Sequence, residues 1–536
     1  MIIILTKPKF PSSNSRSLEI KLNNMPPGTL LREMIENGHA RPMGSIENIY
    51  GIFNRQKLYR NFSMFAEIND FCNERQLRAA LRNLCLKNPI LLHTIVPEIW
   101  PFNEKYYLSD EYYCMPRSQH EFIAILPELD LSDILANKQT QYQQVLEKAF
   151  REFESSNFCY TSEVYKLIAT ISIPYVGPSW RLICLPEKRG TEWRKFIFIS
   201  NHCLCDGRSA ANFFHDLKEE LNCNIDNRLT VTTIFSYERD HYLLPKLPEP
   251  LEKRIDFRPP WSYFPKYLVW EPIVNHFKFS SNCATSRLDE SFDGKTLLTE
   301  IINIDVQVLE KVRQLIKANV HEGGTITPFL EICWLISLHK WGAFSGKSWT
   351  KCLTDVFVPV DVRNLLPDDD DIRKSYRYGC NVAAIELNPW ISQLDVEKNS
   401  DEFWALVSQN QNKITSLLQK KEQLNLIGFN TLDIVEKNFN LDRELCVHTL
   451  NKPRQGTLLS NLGIFPQNSQ ERDRYSLENL IFGQFQGSFR ESFSMCVCST
   501  DRKGMNIVLT TTSDLIPNSK SWEDLCSTFK SIISDT

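Results

Sequence analysis

The run "KFIFISNHCLCDGRSAANFFHDLKEELN", residues 195–222, changes period at its middle. Its first part carries the apolar run Phe196–Ile199 and reads as a buried strand. After Gly207, Ala210, Phe213, Phe214 and Leu217 fall at helical spacing. The chain must therefore pass from strand to helix through a tight turn, with His202 at the strand end and Asp206 four residues on. A strand end feeding a glycine turn lifts a side chain into open space, whereas a mid-helix position would bury one face.

His202 in such a turn suits a general base, because a neutral imidazole accepts a proton from an alcohol near neutral pH. The same residues also fit a core histidine in a turn, with Asp206 capping the next helix. From the residues alone both readings stand.

The surrounding pattern is mixed α/β. Helices are predicted at "GTLLREMIENGHA", ended by Gly38, and at "SIENIYGIFNRQ", where Ile46, Ile49, Tyr50 and Phe53 share a face. Strands are predicted at "LYRNFSMFAEI", "LLHTIVPEI", "EVYKLIATISI", "WRLICLP" and "KFIFISNH". The second half restarts with "LTEIINID", the helix "VQVLEKVRQLIKANV" and the apolar helix of "TITPFLEICWLISLHKWG". It continues through "DVFVPVDVRNLLP", "GTLLSNLGIF", "SFSMCVCST" and "GMNIVLTTTSD", and closes on the helix "SWEDLCSTFKSIIS". The spans follow: a loose Pro/Ser/Asn-rich extension at 1–27, an N-terminal lobe at 28–245 carrying His202, a Pro-rich connection at 246–290 and a C-terminal lobe at 291–536. A chain of 536 residues with 42% apolar content has ample material for two such cores.

Several functions are disfavoured. A net charge of −4 gives no basic footprint for nucleic acid. The phosphate-loop, dinucleotide and G-x-S-x-G signatures do not occur. The 16 cysteines are scattered through apolar runs as reduced core residues are, and neither C-x-C pair has a second pair at zinc spacing, so no metal is expected. No apolar run reaches the ~18 residues of a membrane span.

"NHCLCDGRSAANFFHDL" resembles the H-x-x-x-D-G signature of the CoA-dependent acyltransferase superfamily. "ENGHARPMGSIENIYGIFNRQKLYRNF", "PSWRLICLPE", "TITPFLEICWLISLHKWG", "GTLLSNLGIF", "FGQFQGSF" and "VCSTDRKGMNIV" together resemble the yeast alcohol O-acetyltransferases. Asn201 stands where condensation domains carry a second histidine, and the plant D-F-G-W-G stretch is absent, with "FGQFQG" in its place.

The resemblance implies a two-lobe, chloramphenicol-acetyltransferase-like α/β fold with mixed sheets and a channel between the lobes. Acetyl-CoA would be the co-substrate, with no permanently bound cofactor, and a small alcohol the acceptor. His202 would be the base, and Asp206 would support the turn by pairing with an arginine, for which Arg363 is the candidate. A buried, unpaired Asp206 would be costly. Oxyanion or substrate contacts are sought at Thr325, Thr327, Ser460 and Asn461, each also a plausible turn or cap residue. Water in place of alcohol would give slow thioester hydrolysis. Other readings are transfer to a sterol or amine, or a catalytically silent scaffold on lipid. In the yeast enzymes comparable terminal helices accompany the endoplasmic reticulum and lipid droplets. The amphipathic segments Gly38–Arg55 and Ser519–Thr536 are accordingly expected to attach peripherally to those membranes.

Overall fold

The computed structural model describes residues 28–534 except 98–101, 116–120, 188–189, 224–232, 289–295, 321–322, 346–349, 431, 433–434, 436–437, 467–472, 486–489 and 517–519. The extension at 1–27 lies outside the described residues.

Two large sheets organise the molecule. The first runs Leu477–Gln484, Phe62–Asn73, Glu192–Ser200, Trp180–Cys184, all antiparallel. Its central pair is built from the alternating and apolar runs of the sequence, and its core includes Phe62, Phe196, Phe198 and Trp180. The second runs Val382–Leu387, Val356–Asp361, Gln455–Phe465, Glu491–Thr500, Gly504–Thr512, Leu297–Ile304. Its three middle strands, Val356–Asp361, Gln455–Phe465 and Glu491–Thr500, pair in parallel and the outer pairings are antiparallel. Such a mixed sheet needs covering on its faces. The helix Ile326–Trp341 supplies much of that cover. It is apolar nearly all round, buried along most of its length, and stopped by Gly342 at φ +88°. A strand from the span 291–536, Leu477–Gln484, completes the sheet of the span 28–245, with Gln484 opposite Phe62.

One expectation is corrected. Glu163–Ile173 is not a strand: Ser162–Ala169 is a helix. Thr161 caps it by accepting from Val164 N–H, and Val164, Tyr165 and Ile168 form a buried helical stripe that outweighs β-branched composition. In the segment Gly38–Arg55 the apolar stripe faces inward, with Ile46, Ile49 and Ile52 of the helix Ser45–Arg55 buried. Within Ser519–Thr536, the described helix Trp522–Ser534 turns Leu525, Phe529, Ile532 and Ile533 into the second core, where Phe529 meets Trp334 edge-on at 5.3 Å. The described residues of both stripes are thus turned into the protein.

Candidate active site

The strand Glu192–Ser200 ends where Asn201 N–H donates to Ser179 O at 3.0 Å, and the chain then bends through Cys205 into the helix Gly207–Asn222. Asp206 is the N-cap. Its Oδ1 accepts from Ser209 N–H (2.7 Å) and Ser209 Oγ (2.8 Å), and its Oδ2 accepts from Asn381 N–H (2.9 Å). Arg363, just past the strand Val356–Asp361, reaches the same carboxylate with Nη1 3.0 Å from Oδ2 and Nη2 3.1 Å from Oδ1. The cap reading and the pair reading of Asp206 therefore hold together. Burial alone would raise this carboxyl's pKa, but Arg363 and the backbone donors hold it below the ordinary carboxylate range.

Gly207 is the first helical residue rather than a turn glycine. A Cβ there would lie 2.9 Å from Leu462 Cδ2 and 2.9 Å from Phe482 Cζ, so its role is close approach of the helix to the neighbouring strands.

His202 is buried between aromatic rings. Tyr50 stacks on it with centroids 4.5 Å apart and planes 16° apart, and Phe62 and Tyr59 lie at 5.2 and 5.9 Å. Burial lowers its pKa, opposed by the charge of Asp206 and its own backbone carbonyl, so the imidazole is neutral at neutral pH. It opens on a cavity of about 420 Å³ at the junction of the two sheets. The walls are mostly apolar: Ile46, Ile49, Tyr50 and Phe53 on one side, Phe357, Leu426, Ile427 and Leu445 on others. Such a chamber suits an apolar ligand, with polar groups among its walls to orient it.

The four weaker sequence candidates divide. Ser460 and Asn461, on Gln455–Phe465, line the cavity. Thr327 lies behind, its Oγ1 accepting from Asn461 Nδ2 at 3.1 Å. Thr325 is not among the cavity-lining residues. It is the N-cap residue of Ile326–Trp341, and both its N–H and its hydroxyl donate to Gln411 Oε1 at 2.9 Å. That engagement removes it from the oxyanion candidates.

The sequence did not single out Tyr50, Cys380 or Gln484 for the site. Tyr50 was legible only as one residue of an amphipathic stripe. Cys380, in "YGCN", places Sγ 3.6 Å from His202 Nδ1, and no local pattern announces it. Gln484 pairs across the sheet with Phe62, so both side chains leave the same face, and it lines the cavity wall with Oε1 buried. The "FGQ" stretch was its only signal.

A buried neutral imidazole, aimed into an apolar chamber and held by a turn that is itself fastened by an ion pair, has the makings of a proton acceptor for a hydroxyl. Comparison with known proteins shows the family. A family model described as alcohol acetyltransferase matches residues 42–533. The chain is 47% identical over 506 residues to Alcohol O-acetyltransferase 1 of Saccharomyces cerevisiae, covering 94% of this chain and 96% of that protein. It is 34% identical to Alcohol O-acetyltransferase 2 of the same yeast, covering 94% and 97%. Among solved structures, the trichothecene 15-O-acetyltransferase of Fusarium sporotrichioides superposes with a TM-score of 0.62 at 13% identity, over 92% of this chain and 94% of that one. The first condensation domain of the calcium-dependent antibiotic synthetase gives 0.54 at 11%, over 92% and 95%. These two share the fold, which is the expected chloramphenicol-acetyltransferase-like one.

Proposed function

The chain belongs to the alcohol acetyltransferase family and acts as an alcohol O-acetyltransferase; from that premise we propose that acetyl-CoA is the donor, a short- or medium-chain alcohol the acceptor and His202 the general base. The observation that carries the assignment of the base is the burial of His202 at the wall of the apolar chamber, with Nδ1 3.6 Å from Cys380 Sγ, which on our reading leaves Nε2 for substrate. Nε2 takes the alcohol proton as the oxygen attacks the thioester carbonyl. The tetrahedral oxyanion collapses and expels the CoA sulfur, which receives the proton from the imidazolium. No acyl-enzyme forms. Ser460 Oγ, Asn461 Nδ2 and the Gln484 carboxamide are the donors at hand for the oxyanion. Asp206 and Arg363 fix the turn and take no proton. Water reaching Nε2 would hydrolyse the thioester slowly.

A silent scaffold would have no use for an intact base in a chamber. The test is ester formation by purified protein. His202→Ala is expected to lose activity by about a hundredfold to ten-thousandfold with its fold retained. Retained ester synthesis in that variant removes the assignment.

We further propose peripheral attachment to endoplasmic reticulum or lipid-droplet surfaces, through the connection rather than the chain ends. Trp261, Leu268, Val269 and Trp270 are 58–88% exposed on and beside the helical segment 263–277. Tryptophans with apolar bodies and a polar N–H suit the headgroup level of a lipid surface. Tyr267 of the same segment walls the cavity, which would let apolar alcohols pass from lipid to site. Flotation with phosphatidylcholine vesicles, lost in a Trp261→Ser/Trp270→Ser variant, is the expected result. Unchanged flotation, or none in the parent protein, overturns it.

A further inference from the structure

We propose that Cys380 is a positioning residue for His202: its sulfur accepts the Nδ1–H of the imidazole and so keeps the Nε2 lone pair facing the chamber. The proposal rests on the reading of His202 as the base.

The geometry is direct. Sγ lies 3.6 Å from Nδ1, within range for a hydrogen bond to sulfur. Cys380 is not among the residues lining the chamber. It sits behind the ring, beside a separate small void with Glu47 and Asn381. It therefore acts through the imidazole and not on substrate.

The segment that carries the thiol is built for accuracy. Asn381 N–H donates to Asp206 Oδ2 at 2.9 Å, Ser209 Oγ to Gly379 O at 3.0 Å, and Asn212 Nδ2 to Arg377 O at 2.9 Å. Gly379 takes φ +123°, a conformation that side chains rarely allow, and this sets the direction of the next residue. The carboxylate that caps the helix and pairs with Arg363 thus also fixes the loop that presents the sulfur. One unit holds the strand end, the helix start and the far nitrogen of the base.

The imidazole needs such a tie. Stacking on Tyr50 fixes the ring plane but leaves rotation within it and the choice of tautomer open. Only the Nδ1–H tautomer leaves Nε2 ready to accept. Cys380 Sγ lies on the Nδ1 side of the ring, where it can take that proton, and the backbone carbonyl of His202 also favours the protonated ring. The charged and titratable groups around the ring are Asp206, paired with Arg363, and Tyr50, Tyr59 and Cys380, with Glu47 and Cys203 beyond the thiol. Burial holds both tyrosines and the thiol neutral. The sulfur is then a weak acceptor that orients the ring, where a carboxylate would also raise its basicity. In the reaction the Nδ1–H stays on the sulfur side throughout. Nε2 gains the alcohol proton and passes it to the departing CoA thiolate.

The test compares Cys380→Ala and Cys380→Ser in the full chain. Ester formation is followed against pH, with KM for both substrates, thermal unfolding and ¹⁵N spectra of the imidazole. Cys380→Ala is expected to lower kcat about tenfold with KM for acetyl-CoA unchanged. The acid limb should move to lower pH and the ¹⁵N signals should show mixed tautomers. Cys380→Ser, with a stronger acceptor, should restore kcat and move the acid limb back upward. An unmoved acid limb and a single tautomer in Cys380→Ala overturn the proposal, as does loss of activity only in proportion to unfolded protein. Should Cys380→Ala not fold, the serine variant decides: an acid limb shifted upward from the parent supports the proposal, and an unshifted one overturns it. A His202→Ala enzyme that still makes ester defeats the base assignment itself. A dead His202→Ala enzyme beside an indifferent Cys380→Ala one defeats only the role of the sulfur.

Discussion

Arg363 holds Asp206 with two nitrogens, 3.0 and 3.1 Å from the two carboxylate oxygens, and each side chain belongs to a different sheet system. The pair is the bolt between the catalytic turn and the strand Val356–Asp361. Asp206→Asn leaves the buried guanidinium only the half-exposed Asp361 carboxylate, 3.0 Å from Nη1, as counter-charge, at an expected cost of about 3 kcal/mol. Activity should fall with it. Adding Arg363→Met to Asp206→Asn should recover part of the stability but not the activity, measured by urea unfolding and ester assay on all three variants.

Gly207→Ala places a methyl 2.9 Å from Leu462 and Phe482, both on the chamber wall. We expect a cost of about 1–3 kcal/mol from overpacking. Both residues must move toward the cavity, so KM for longer alcohols should rise more than KM for ethanol.

Acid should inactivate before it unfolds. Burial lowers the pKa of His202, so the acid limb of kcat/KM is expected below pH 6.5. His93 is also buried, and its pKa falls to about 4. Between about 6.5 and 4 the unfolded state binds the proton that the folded state refuses. Stability is therefore full above 6.5 and declines as pH falls through that window, by on the order of 3 kcal/mol for His93. His93→Gln should flatten this slope in chemical denaturation at pH 7 and pH 4.5.

Glu331 behaves oppositely. It is wholly buried in Ile326–Trp341, with a bond from Asn410 Nδ2 at 2.9 Å and, among the described residues, no partner for Oε2, and its pKa rises to about 8. From about 4.5 to 8 the folded state keeps a proton that the unfolded chain has released, so stability declines as pH rises. Glu331→Gln should leave the protein unchanged at pH 5 and stabilise it at pH 8 by on the order of 3 kcal/mol. Thermal unfolding at the two pH values decides.

The catalytic turn was legible because it is local. Period change, His202, Asp206 and Gly207 all lie within one short stretch, and the sheet-forming runs around it carry strong alternation. Arg363 came from the resemblance alone, since a partner from another strand leaves no trace at Asp206. Cys380, Tyr50 and Gln484 were beyond reach for the same reason: each arrives from a distant segment and looks like ordinary core. The stripe of Trp522–Ser534 is legible in the sequence, but the surface that covers it, the second core, is not. Amphipathicity reports that a face must be covered and does not say by what.

The strand Leu477–Gln484 lies beside Phe62–Asn73, near the opposite end of the chain. On the ribosome, Phe62–Asn73 would be made early and would wait for nearly the whole polypeptide before its neighbour emerged. Until then its backbone donors and acceptors form an open edge, inviting pairing with other chains. A fragment stopping at the connection would keep that edge for good. Cutting the protein between its halves should therefore yield not two domains but an aggregating piece and an orphaned strand.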